Sequence, residues 1–201
     1  MAKDLLRERL AKYIPPKDQW TPVDEALYGV EDIYNVPDDK AKKLREDAIR
    51  YSFRHHYEGN KFYHEYCKGR SVGPDDIKSE ADFKKIPLVT STFFKDHPDK
   101  GMDFVKWLQT IYTGELPILN LKRDESFSEI FRALYREGIT ITTSSGTTGQ
   151  KKLILPRDKL TYSRFAYSGG NMFLTIGCSG DMTMIYGIPK VPEDFVGMSF
   201  F

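Results

Sequence analysis

The chain has almost no cysteine: Cys67 and Cys178 are the two in 201 residues, and neither has metal-type spacing to a partner. Two cysteines exclude a disulfide framework and a zinc-ribbon fold. Charge of one sign is also missing, with 30 Lys and Arg against 29 Asp and Glu and a formal net charge of +1. Nucleic-acid binding calls for a basic patch, and this balance offers no electrostatic case for one. No run approaches the roughly 18 consecutive apolar residues of a membrane span. The N-terminus, Met1-Ala2-Lys3-Asp4-Leu5-Leu6-Arg7, is charged throughout. It lacks the apolar centre of a signal peptide, so the expected location is the cytoplasm. Carboxylate pairs that could work as acid and base are lacking too. Asp38-Asp39 and Asp75-Asp76 stand at helix starts or turns, where capping accounts for them. No metal site is expected and no catalytic residue can be named.

What is present is the composition of a folded protein, 40% hydrophobic and 29% charged, long enough for one ordinary domain. Leu5, Leu6 and Leu10 carry helical spacing over 1–12, ended by Pro15-Pro16. Residues 13–37 are rich in proline, aromatics and acids and read as an irregular arm, so 1–37 forms an N-terminal arm. Asp38 can cap a helix to about Glu58, with Ala41, Leu44, Ala48, Tyr51 and His55 on one face. His55 on that stripe reads as a core histidine. A second helix over about 60–68 turns Phe62, Tyr63, Tyr66 and Cys67 inward and stops at Gly69. Cys67 there reads as a small buried hydrophobe, not a nucleophile. Ser79-Glu80-Ala81-Asp82 has the form of a capping box. Residues 96–125 carry few signals beyond Gly101, Gly114 and Pro117. Ser126 or Ser128 can start a helix using Ile130, Phe131, Leu134 and Tyr135, stopped at Gly138. A largely helical region therefore spans 38–137.

From 138 to 201 the order is strand, loop, strand, helix and strand, the start of an α/β sheet. Ile139 and Ile141 precede the loop; Leu153, Ile154 and Leu155 follow it. The helix after Asp158 carries Leu160, Phe165 and Tyr167, with Gly169-Gly170 a weak point. Met182–Tyr186 forms an apolar strand, and the chain ends in the apolar Phe195-Val196-Gly197-Met198-Ser199-Phe200-Phe201.

The loop, Thr142-Thr143-Ser144-Ser145-Gly146-Thr147-Thr148-Gly149-Gln150-Lys151-Lys152, carries the chemistry. Glycines let backbone N–H groups close on an anion. The hydroxyls of Ser144, Ser145, Thr147 and Thr148 add rotatable donors, and Lys152 adds a point charge. The bland alternative is a polar hairpin turn. A Walker A loop is excluded, because the Gly-x-x-x-x-Gly-Lys-Ser/Thr spacing is absent.

This loop resembles the phosphate loop of the adenylate-forming enzymes, Ser/Thr-Ser-Gly-Thr-Thr-Gly-x-Pro-Lys, matched by Ser144 to Lys152 except that Lys151 stands at the proline. The departure resembles the branch of LuxE-type acyl-protein synthetases and phenylacetate–CoA ligases. So do the run Phe53 to Cys67 and the run Asp75 to Lys95, with its Ile86-Pro87-Leu88-Val89-Thr90 segment. The resemblance covers the N-terminal half of such an enzyme. It implies an α/β fold, the N-terminal part of the family's large domain, in which a helical entry region leads into a mixed sheet. It implies ATP and Mg as cofactors, with Thr143, Ser144, Ser145, Gly146, Thr147, Thr148, Gly149 and Lys152 contacting triphosphate and Lys151 as an extra contact. It implies activation of a carboxylic acid, a fatty acid in the LuxE type, as acyl adenylate with transfer to a protein thiol. The alternatives are a fragment of an acyl- or aryl-CoA ligase and a non-catalytic nucleotide-binding module. Phe173, Tyr186 and Ile188 are candidates for the near wall of an acyl pocket. The family's later motifs do not follow the loop here. The resemblance therefore implies a C-terminal half elsewhere, on a partner chain or in missing sequence, and a fatty-acid reductase as acyl acceptor.

Overall fold

The computed structural model describes residues 8–30, 35–99, 101–143 and 151–175. Leu5, Leu6, Ser144 to Gln150, Cys178, the strand at 182–186, Ile188 and the apolar end at 195–201 lie outside the described residues, as does the Phe173 side chain. The described chain is helix-rich, with one two-stranded antiparallel sheet. Its described residues divide into two compact units, one within 8–52 and 160–175, the other within 53–159.

In the first unit, residues expected to be irregular contain helix α1, Pro22–Tyr28. Pro22 occupies its first turn, where a missing N–H leaves no hydrogen bond unmade. Asp24 reaches back to accept from the Thr21 N–H at 2.9 Å and the Thr21 hydroxyl at 2.7 Å. The same carboxylate, fully buried, is gripped by Arg164, Nε to Oδ1 at 2.7 Å and Nη2 to Oδ2 at 2.6 Å. Such a two-bonded pairing is strong and directional. Tyr28 packs 4.7 Å from Tyr167, edge to face, and its hydroxyl donates to the Tyr13 carbonyl at 3.2 Å. Burial, aided by the Asp24 charge, pushes its pKa up to about 12.

Helix α2, Asp38–Gly59, contributes to this unit as far as Ser52, and helix α6, Lys159–Thr175, from Leu160 onward. Ala41, Leu44, Ala48 and Tyr51 are half-buried, as their spacing predicts, but His55 is exposed and Phe53 is the buried residue of that turn. Phe53 opens the second unit and is buried there with Cys67 and Ile77. Helix α6 runs without a break through Gly169-Gly170. A Cβ at Gly170 would collide with the Leu10 side chain, so the glycine makes room for a buried leucine.

In the second unit, Asn60 joins two helices. Its side-chain oxygen caps α3, Lys61–Lys68, by accepting from the Tyr63 N–H at 2.7 Å. Its amide nitrogen donates to the Thr110 and Tyr112 carbonyls at 3.0 and 2.9 Å, beside the C-terminus of α4, Gly101–Ile111. Cys67 is fully buried, and burial raises its thiol pKa, consistent with an inert structural thiol. The chain leaves α3 with Gly69 still helical, and the residue with positive φ is Ser71 at 55°. Asp82 accepts from the Ser79 N–H and hydroxyl, as the capping box predicts, over a 3-10 turn at Glu80–Lys85.

Helix α4 falls in the stretch with few sequence signals. It begins at Gly101, whose φ of +68° and close approach to the Arg123 carbonyl admit no side chain. Helix α5, Phe127–Arg136, is capped by the Ser126 hydroxyl and stopped before Gly138, at φ +80°. Ile130, Phe131 and Leu134 are buried, while Tyr135, one step off that stripe, is 62% exposed. Strands β1, Thr140–Thr143, and β2, Ile154–Arg157, lie over these helices. Ile139, Ile141 and Ile154 share one core with Phe104, Leu108, Ile130, Phe131 and Leu134.

Asp24→Asn should destabilise the first unit by roughly 3 kcal/mol, because the Arg164 charge loses its buried partner. Desolvation raises the Asp24 pKa, but the bonds from Arg164 and Thr21 and the Arg164 charge together bring it below the ordinary value. The stability it adds is therefore present above pH about 4 and lost as pH falls through the lower folded value. Urea unfolding of both chains from pH 7 down to 3 checks this. Equal stability at pH 7 would show that the pair adds nothing.

Candidate functional site: the tip of the β-hairpin

The loop stands on a hairpin whose register is Thr140↔Arg157, Ile141↔Pro156, Thr142↔Leu155 and Thr143↔Ile154. Its two arms therefore start from directly opposed residues. Alternation alone would leave one face of β1 to solvent, yet every residue of β1 is buried. Thr142 is satisfied in that setting: its hydroxyl donates to the Leu155 carbonyl and accepts from the Arg157 Nε, both at 3.2 Å. Burial draws the Arg157 guanidinium below its ordinary pKa.

Of the residues expected to contact phosphate, Thr143 is buried at the end of β1. Ser144, Ser145, Gly146, Thr147, Thr148 and Gly149 lie outside the described residues. Lys151 and Lys152 are exposed on the return arm. The Lys151 ammonium donates to the His97 carbonyl at 2.7 Å and pairs with Asp99 Oδ1 at 2.7 Å. The bond and charge from Lys151 hold the Asp99 carboxyl below the usual carboxylate range.

His97 is the residue the sequence pattern missed. It is 6% exposed, packed 5.8 Å from Phe104, 5.4 Å from Trp107 and 5.9 Å from Phe127, ring centre to ring centre. Its Nε2 lies 3.2 Å from the Lys152 carbonyl. A carbonyl can only accept, so in the tautomer with its proton on Nε2 the ring donates to Lys152. Nδ1 faces the Pro98 carbonyl at 3.0 Å. The signal that could have found it was downstream: Phe104, Trp107, Leu108 and Ile111 recur at helical spacing and build the wall His97 enters.

The arrangement brings buried Thr143 and two lysines to one end of the sheet, with the Lys151 ammonium held by His97 and Asp99. Among the described residues no group of three His, Cys, Asp or Glu side chains is placed to hold a metal ion. Among them, too, no helix is long and apolar enough to cross a membrane. A separate open groove of about 790 Å³ in the second unit, lined by Phe62, Gln109, Tyr112 and Leu116 among others, does not include the hairpin.

A stretch of 73 residues is 32% identical to phenylacetate–coenzyme A ligase of Aromatoleum evansii, covering 36% of this chain and 17% of the ligase. The chain thus spans a small part of the length of the relative it matches. No protein-family model matches it, and neither does any solved structure. The likeness is partial and is to an acid–thiol ligase.

Thr142→Val should destabilise the second unit by about 1–2 kcal/mol, because it removes two hydrogen bonds made by a buried hydroxyl, to a strand carbonyl and from a half-buried guanidinium. Denaturant unfolding at pH 7 measures it. A variant as stable as the parent would mean that the hydroxyl is dispensable to the hairpin.

Proposed function

We propose that the chain contributes the triphosphate cradle of an ATP-dependent acid–thiol ligase, which activates a carboxylic acid as its acyl adenylate. The observation that carries this is Ser144-Ser145-Gly146-Thr147-Thr148-Gly149 with Lys152, set between two strands paired at Thr143↔Ile154. The partial likeness to a CoA ligase supports it. As a carboxylate attacks the α-phosphate, negative charge gathers on departing pyrophosphate. Donors fixed around that group stabilise the charge as it develops. Holding the triphosphate still also keeps the reacting atoms in line. Thr143 to Gly149 and Lys152 are assigned these tasks. Magnesium, when bound with ATP, supplies further charge neutralisation on the phosphates.

Two acceptors fit this reading. Lys151 in place of proline favours a protein thiol, as in LuxE-type synthetases acting on a fatty acid with a reductase as acceptor. The 73-residue likeness favours coenzyme A. Label appearing on protein or in free acyl-CoA separates them. Cys67 is not the acceptor, because it is fully buried with its pKa raised. The adenine, ribose and acyl contacts are assigned to a C-terminal half, on this polypeptide or on a partner chain.

Calorimetry of the 201-residue chain with MgATP, beside Lys152→Ala and Gly146→Val, tests the cradle. At about 100-fold excess over Kd, binding adds about 2.7 kcal/mol to stability, so a rise in Tm accompanies it. Both substitutions should abolish the heat and the Tm rise. Binding unaffected by either would place the nucleotide elsewhere.

A further inference from the structure

We infer that the turn His97-Pro98-Asp99 is a positioning clamp for the return arm of the loop, and that it holds Lys151 as an anchor rather than a phosphate ligand. The inference rests on the proposed polyphosphate site and names what sets its geometry. The strand ladder ends at Thr143↔Ile154, so residues 151–153 lie beyond it. Four ties cross from 94–99 to 151–154. The Lys151 ammonium bonds the His97 carbonyl and Asp99, His97 Nε2 bonds the Lys152 carbonyl, and the Ile154 N–H bonds the Phe94 carbonyl at 3.3 Å.

The two jaws of the clamp differ in kind. His97 is fixed in the aromatic wall of Phe104, Trp107 and Phe127, so the carbonyl it offers to Lys151 is set by packing. The ion pair is open to water, with Lys151 45% and Asp99 81% exposed. Exposed pairs add little stability, so its effect is directional. Two acceptors at 2.7 Å, one main-chain and one carboxylate, occupy two of the three ammonium protons. That keeps the Lys151 charge on the 97–99 side, while the Lys152 main chain is tied to His97.

The rival arrangement has Lys151 swing to the phosphates, with Asp99 as a resident competitor. The two differ in sign. Asp99→Asn removes a negative charge near a polyanion, which by itself tightens binding. A working clamp makes it weaken MgATP affinity instead, by about 3- to 10-fold, because the arm loosens. His97→Phe keeps the ring packing, loses the bond to Lys152 and should weaken affinity by a similar factor. His97→Gln, which restores an N–H donor, should recover most of it.

Calorimetry at matched ionic strength reads these affinities, and circular dichroism melting confirms that each variant is folded. Tighter binding by Asp99→Asn, or full affinity in His97→Phe, overturns the clamp. Should the parent chain not bind MgATP, the proposed function fails, and the clamp is read without ligand. Hydrogen exchange at the Ile154 amide should then quicken at least tenfold in His97→Phe and Asp99→Asn. Unchanged exchange would overturn the clamp on its own.

Discussion

The burial of three isoleucines holds the candidate site in place. Ile139, Ile141 and Ile154 enter the core formed by Phe104, Leu108, Ile130, Phe131 and Leu134. A two-stranded hairpin alone is marginal in water. Packed on two helices it becomes a fixed mount, since apolar area removed from water stabilises at about 25 cal/mol per Å². A one-residue slip in register would turn the isoleucines away from this core, so the same burial that stabilises the hairpin also selects Thr143 and Ile154 as opposed residues.

That dependence runs through elements distant in the chain. Helix α4 lines the core with Phe104 and Leu108, supplies Trp107 to the wall around His97, and ends in carbonyls bonded by Asn60. Asn60 in turn caps α3. One buried amide thus ties the start of one helix to the end of another. Because its donors and its acceptor are all used, the polar group is buried without an unmet bond.

Much of this was legible in the sequence. The spacing of apolar residues located α2, α3 and α5, the capping patterns at Ser79 and Ser126 held, and the strands fell on either side of the loop as expected. The difficulties share one cause. Pro22 reads as a breaker until Thr21 and Asp24 are seen to build a helix start around it. His55 reads as core until Phe53 claims the buried side. Helix α4 has helical periodicity, but it starts at a glycine whose stop-like character hides the start. The clamp at His97 was not legible, because nothing local distinguishes a His-Pro-Asp turn. Its meaning comes from three aromatic rings and two lysines brought to it by tertiary packing.

The Asp24–Arg164 pair joins positions 140 residues apart, and this bears on how the chain assembles. The described residues of the second unit lie within Phe53–Lys159, one continuous run of chain. The first unit needs helix α6, which is made only after that run is complete. During synthesis, Asp24 and Tyr28 must wait unpaired for Arg164 and Tyr167. Contacts of such long sequence separation form slowly, because the intervening chain must first give up its freedom. The described core of the hairpin mount is therefore synthesised before Arg164 and Tyr167 become available to Asp24 and Tyr28.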